Sequence, residues 1–201
     1  MVATCYPVFG FSLDSGCNVK KQERREKIES TARQNLLGSA ERWLNVRELS
    51  GNNDHPMITK AMKLCGLSGK KGYPWCAACQ SEIFYHADIS APHSARVVDW
   101  FKSNIIWKRE WGDNPHSAKA GMMAGLYYQR LGRYGHIGMI IAEDNNNYYL
   151  LEGNTNIAGS REGDGFYRKI RSKKSVAVIS DKVLKGNDFD QRYYNYLKTV
   201  L

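Results

Sequence analysis

Nowhere does this sequence stay apolar for the roughly 18 residues that a bilayer-crossing helix requires, and that excludes a membrane-spanning helix. Cysteine is scarce and odd in number: Cys5, Cys17, Cys65, Cys76 and Cys79 are the five, and they form no regular disulfide framework. A lone C-x-x-C at Cys76 and Cys79, with no second pair and no histidine at ligand spacing beside it, gives no zinc site. No zinc-finger spacing or aromatic RNP-like stripe accompanies the basic residues, which are scattered, so nucleic acid is not an expected partner. A secretory signal is incomplete as well, because residues 2–13 are mildly apolar but follow no positive n-region. Two readings stay open for residues 1–30: an N-terminal arm, or the remnant of an export signal whose start lies upstream.

What is present bounds one globular domain with a real core, placed at residues 31–201. Lys and Arg number 29 against 20 Asp and Glu, a net charge of +9. That excess favours polyanionic partners in general, among them the acidic polymers of a bacterial wall. From 22 to 46, Ile28, Ala32, Leu36, Leu37, Ala40, Trp43 and Leu44 recur at helical spacing, in one helix or in two broken near Gly38. Residues 56–65 read as a short helix with Pro56 at its first position and Gly66 as its stop. After the Gly and Lys loop of 66–72, a third helix begins near Pro74, with Cys76 in its first turn and a buried stripe at Trp75, Cys76, Cys79, Ile83 and Phe84.

The period then changes. Residues 135–142 and 148–151 are β-branched or aromatic runs around Glu143-Asp144-Asn145-Asn146-Asn147, which is hairpin chemistry. Further strands are expected at 122–128, 165–169 and 175–179, and a closing helix at 189–201. Trp100, Phe101, Trp107 and Trp111 are expected in the core, although exposed aromatics of this stripe could equally stack on sugar rings. Helices followed by an antiparallel sheet make an α+β fold.

One constellation carries chemistry. A thiol nucleophile needs partial thiolate character, a base within reach and donors for the oxyanion. Cys76 meets the first by standing at a helix start, where open amides and the dipole favour an anion. His136 is flanked by Gly135 and, after Ile137, Gly138, so a bulky partner can approach the ring. Glu152 and Asn154 share a facing at period 2 at the end of the next strand. A carboxylate ending the apolar run 148–151 needs a partner if buried.

Tyr73-Pro74-Trp75-Cys76-Ala77-Ala78, followed by Gly135-His136-Ile137-Gly138 and then Glu152-Gly153-Asn154, resembles the CHAP family of cysteine, histidine-dependent amidohydrolases and peptidases. Trp43-Leu44-Asn45-Val46-Arg47-Glu48 and Gly51-Asn52-Asn53 are similar to the lead-in of phage and bacterial wall-lytic members. The resemblance implies a papain-like fold of the NlpC and CHAP type, with N-terminal helices on an antiparallel sheet. It implies Cys76 as nucleophile, His136 as general base, Glu152 as its orienting partner and Asn154 as an assistant. Tyr73 and Trp75 are candidates for substrate binding or the oxyanion pocket. The implied activity is hydrolysis of a peptidoglycan amide bond through a thioester, as an N-acetylmuramoyl-L-alanine amidase or an endopeptidase, by a monomer that needs no metal or organic cofactor and works in a secreted, periplasmic or wall-associated setting.

The sequence also permits rivals. Trp75-Cys76-Ala77-Ala78-Cys79 resembles the Trp-Cys-x-x-Cys of thioredoxins, a redox reading that expects a buried β-branched strand just ahead of the motif and a parallel-leaning sheet. A non-catalytic wall-binding module or a toxin-like effector on the same fold is a third class. Cys5, Cys17 and Cys65 read as structural, Cys79 as a core residue, and His55, His86, His93 and His116 as surface histidines.

Overall fold

The computed structural model of the chain describes residues 14–68, 72–114, 117–159 and 163–183. The N-terminal segment 1–13, His116 and the expected closing helix at 189–201 lie outside the described residues. Helix α1 spans Asp14–Glu41, α2 Pro56–Leu64 and α3 Cys76–His86. The strands are β1 Ile105–Lys108, β2 Met123–Tyr128, β3 Arg133–Glu143, β4 Asn147–Thr155, β5 Gly165–Ser172 and β6 Val176–Ser180. They form one sheet in the order β1-β6-β2-β3-β4-β5, antiparallel at every pairing. The architecture is α+β.

Burial on α1 explains its continuity. Ile28, Ala32, Leu36 and Ala40 recur every fourth residue and are all buried, a stripe along one face. Gly38 does not break the helix, because it is exposed with nothing within 4 Å, while Ser39 beside it is buried and its hydroxyl donates to Ile83 O of α3 at 2.9 Å. A glycine costs a helix about 1 kcal/mol relative to alanine, less than the packing of its neighbours restores. The helix also crosses residue 30 without interruption, with Ile28 in the core.

In α2, His55 caps the start by accepting the Met57 amide on Nδ1 at 3.2 Å, and Pro56 occupies the first turn. Gly66 follows at φ +75°, a left-handed stop. The β3–β4 turn is held by Asp144, whose Oδ1 accepts the amides of Asn146 at 2.8 Å and Asn147 at 2.7 Å, an Asx turn that leads the chain back. No expected strand covers β1, and Trp111, expected in the core, is 58% exposed. It lies on a short 3-10 turn, Arg109–Trp111, whose apolar neighbour Trp107 instead points inward. No described helix is long and apolar enough to cross a membrane.

Alternation sorts the sheet into two faces. Met139 and Leu151, paired across β3 and β4, join the main core under the helices, whereas the next pair, Ile140 and Leu150, joins a smaller cluster with Trp107 and Tyr148. The main core is anchored by Trp43, which stacks on Trp75 at 6.1 Å and lies 5.8 Å from Phe166. Its indole Nε1 donates to Glu82 Oε2 at 2.9 Å. Trp43→Phe is expected to keep the ring packed but deprive a buried carboxylate of that donor, lowering the unfolding free energy in urea by about 1–3 kcal/mol. A loss no larger than that of an ordinary surface substitution, within about 0.5 kcal/mol, would show that the indole donor is dispensable.

Candidate active site

Helix α3 begins at Cys76, with Trp75 at its N-cap making no side-chain cap. The amides of its first turn therefore stay open toward the Cys76 side chain, and no acidic residue stands in that turn to oppose a negative sulfur. Gln80 fastens the helix to the sheet, its Nε2 donating to Leu151 O at 3.2 Å. The fit is close at Gly153: a Cβ there would lie 2.5 Å from Cys79 Sγ and 2.6 Å from the Trp75 ring. Glycine is what allows α3 to sit on β4 at this depth.

His136 and Glu152 meet where two strands part. β3 and β4 pair from Glu143 and Tyr148 up to Met139 and Leu151. Past that rung β3 continues with β2, and β4 with β5. His136 and Glu152 lie on the parted segments, and His136 Nε2 is 2.9 Å from Glu152 Oε2. Gly138 makes room for the acid, since a Cβ there would fall 2.7 Å from Glu152 Cγ.

The electrostatics set this cluster apart. Burial of the His136 ring works against its charged form, yet the Cys76 thiol and the Glu152 carboxylate more than offset it and push its pKa up to about 9. Burial likewise works to raise the Glu152 pKa, and hydrogen bonds from Arg171 and His136 overcome it, bringing it down to about 2. Glu152 therefore stays ionised. His136 Nδ1 is buried without a hydrogen-bond partner among the described residues, and Cys76 is the group besides Glu152 that raises the ring's pKa.

Sequence reasoning located Cys76, His136 and Glu152, and these three side chains converge. Asn154 is the penultimate residue of the same strand, buried and left-handed at φ +56°. It lines a groove of about 520 Å3 together with Glu48, Asn53, Tyr73, Pro74 and Asp164. Tyr73 is thus on the groove wall, and half of its surface is exposed. Trp75 is not: the indole is fully buried and its Nε1 donates to Glu48 Oε1 at 2.8 Å. Its side chain lies between Gly153 and Trp43, beneath the groove wall. Cys79 is buried, its thiol donating to Cys76 O at 3.1 Å, and burial pushes its pKa well above the usual thiol range.

Arg171 escaped the sequence reading. Its Nε donates to Glu152 Oε1 at 2.8 Å and its Nη2 to Oε2 at 2.6 Å. The available signal was the requirement that a buried carboxylate find a partner, combined with a cation at period 2 on the neighbouring strand, after Tyr167 and Lys169.

The dyad is enclosed. Cys76 is 1% exposed and His136 0%. Pro74 and Asn154, two positions from Cys76 and from Glu152, border the nearest opening by chain. A larger cavity of about 660 Å3, bounded by Trp107, Arg109, Tyr148 and Lys173, includes none of these residues. Among the described residues no group of His, Cys, Asp or Glu is arranged to hold a metal. Comparison with family models, with curated proteins and with solved structures finds no match.

Two outcomes are expected. Gly153→Ala should overpack the helix–strand contact and cost about 1–3 kcal/mol, measured by chemical denaturation; an unchanged midpoint would show that α3 has room to spare. The His136 and Glu152 shifts also fix a pH window. His136 rises from 6.5 to about 9, so its contribution is whole below 6.5 and is lost as the pH climbs through about 9. Glu152 falls from 4.5 to about 2, so its contribution is whole above 4.5 and is lost as the pH drops through about 2. The stability gap between the wild type and Glu152→Gln should therefore be widest from pH 4.5 to 6.5 and narrow above it. A gap that stays constant from pH 6.5 to about 9 would contradict the assigned ion pair.

Proposed function

We propose that this protein is a papain-like cysteine hydrolase of the CHAP type that cleaves an amide bond of bacterial peptidoglycan. The observation that carries the reading is the setting of one imidazole: Nε2 is held by Glu152, Nδ1 has no hydrogen-bond partner among the described residues, and Cys76 joins Glu152 in raising the ring's pKa. A base so oriented, beside a thiol at a helix start, is what nucleophilic attack on a carbonyl demands. The antiparallel sheet and the convergence of residues 76, 136 and 152 support the same fold type.

In the reaction, the Cys76 thiolate, its proton already carried by the His136 ring, attacks the carbonyl carbon. A carbon–sulfur bond forms and the carbonyl electrons move to oxygen, where the Cys76 amide is the donor the helix start provides. The oxyanion collapses, the carbon–nitrogen bond breaks, and His136 passes its proton to the leaving amine. Water, deprotonated by His136, then attacks the thioester, and the carbon–sulfur bond breaks to release the acid and restore the thiol. Glu152 holds the ring and balances its charge throughout. The residues enlisted need no metal or cofactor for these steps.

A net charge of +9 suits an enzyme working on an acidic wall polymer outside the cytoplasm. The thiol–disulfide reading fits less well, because it expects parallel strands where every pairing is antiparallel, and it gives His136 and Glu152 no role. Cys76→Ala is expected to abolish release of fragments from purified peptidoglycan, followed by mass spectrometry, while leaving the thermal transition in place. The mass of the fragments separates amidase from endopeptidase cleavage. Retained lysis by Cys76→Ala, or insulin reduction by the wild type without any lysis, would overturn the hydrolase.

A further inference from the structure

We propose that Arg171 is a positioning residue of this site: its guanidinium fork fixes the Glu152 carboxylate in place and ionised, so that His136 and not Glu152 keeps the proton taken from Cys76. The inference deepens the hydrolase reading and rests on it for the consequence to rate; its geometry stands alone.

A buried carboxylate beside an imidazole has two ways to become neutral. It can lean on an imidazolium, or it can take the proton itself and leave the ring neutral. The second outcome would remove the acid that the leaving amine needs. Arg171 decides between them. It grips both oxygens of Glu152, at 2.8 and 2.6 Å, and the oxygen it shares, Oε2, is the one that faces His136 Nε2 at 2.9 Å. Arginine cannot surrender its own proton, and burial of the Glu152 side chain, fully inaccessible beside an Arg171 side chain only 16% exposed, makes the pairing unscreened by water.

The fork is itself held. Nη1 and Nη2 each donate to Gly159 O at 3.2 Å, and the stem rises from β5, a fixed element. Lys169, two positions earlier on that strand, donates to Asn156 O and Ile157 O of the same turn. The groups that act on the His136 and Glu152 pair are thus Cys76 from α3 and Arg171 from β5, with Tyr128 of β2 acting on Arg171 in turn. Of these, Arg171 alone is a cation. A lysine in its place would supply a charge but not two parallel bonds to one carboxylate.

The test follows the His136 ring in the full chain by NMR with 15N-labelled histidine, which needs no substrate. In the wild type the ring is expected to titrate well above the usual imidazole range, at about 9. In Arg171→Gln the apparent pKa should fall by at least about one unit, a tenfold change in proton affinity, and wall lysis by at least about tenfold. Glu152→Gln should show the same displacement, and the double variant no more than either alone, since Arg171 acts through Glu152. Arg171→Lys should fall between wild type and Arg171→Gln; it decides the matter if Arg171→Gln does not fold. A His136 titration unchanged in folded Arg171→Gln, or Arg171→Lys equal to wild type in both titration and lysis, overturns the proposal. Absent wild-type lysis with a displaced His136 would instead sink the peptidoglycan reading and leave the Arg171 assignment standing.

Discussion

The depth at which α3 rests on β4 is the constraint that the site depends on. Gly153 sets it, because any side chain there would strike Cys79 Sγ and the Trp75 ring. Cys79 is one turn from Cys76, and Gly153 lies between Glu152 and Asn154, so a single backbone contact fixes where the sulfur stands relative to the strand that carries the acid. Trp75, wedged under this contact, is stacked on Trp43 and bonded to Glu48. Close-packed interiors transmit displacement rather than absorb it. A shift of α3 by one methyl diameter would be felt at the imidazole.

Buried charge in this protein is partnered wherever it occurs on the helix–sheet interface. Glu82 accepts the Trp43 indole and meets His86 Nε2 at 2.8 Å. Arg33 of α1 reaches Asp181 Oδ2 at 2.5 Å and Ala120 O at 2.8 Å, tying the first helix to the far end of the sheet. Such pairs seldom add net stability over an apolar core of equal volume, but they permit only one arrangement of the elements they join. The Arg171, Glu152 and His136 row belongs to the same class and differs in one respect: its last member has a nitrogen left over for chemistry.

Short-range signals in the sequence were legible. Proline and glycine bracketed α2, the Asp144 turn lay between two alternating runs, and the absence of any breaker after Pro74 placed Cys76 at the head of α3. These features depend on neighbours in the chain, and their physics is local. The α+β class followed from the change of period. What escaped depended on distant partners. β1 is a four-residue strand that exists because β6 pairs with it. Trp111 looks like core by composition but sits on a turn facing water. Trp75 stands in the motif beside Cys76 and is also a packing residue, and only the position of Gly153 shows the second duty. Arg171 stands opposite Tyr148 in the β4–β5 register, four positions from the partner of Glu152, and it reaches that buried acid by the length of its side chain along the strand face.

The strand order has a consequence for how the molecule comes into being. β6, the last strand among the described residues, lies between β1 and β2, so ribosomal synthesis delivers an interior strand of the sheet after both of its neighbours. Until residues 176–180 emerge, β2 presents an unpaired edge, and the apolar side chains of Val176, Val178 and Ile179 are missing from both clusters they later fill. Closure of such nonlocal pairings is slow, and open edges invite association with other chains. Until that strand is in place, the helices and the β2 to β5 meander lack the interior strand that joins them to β1.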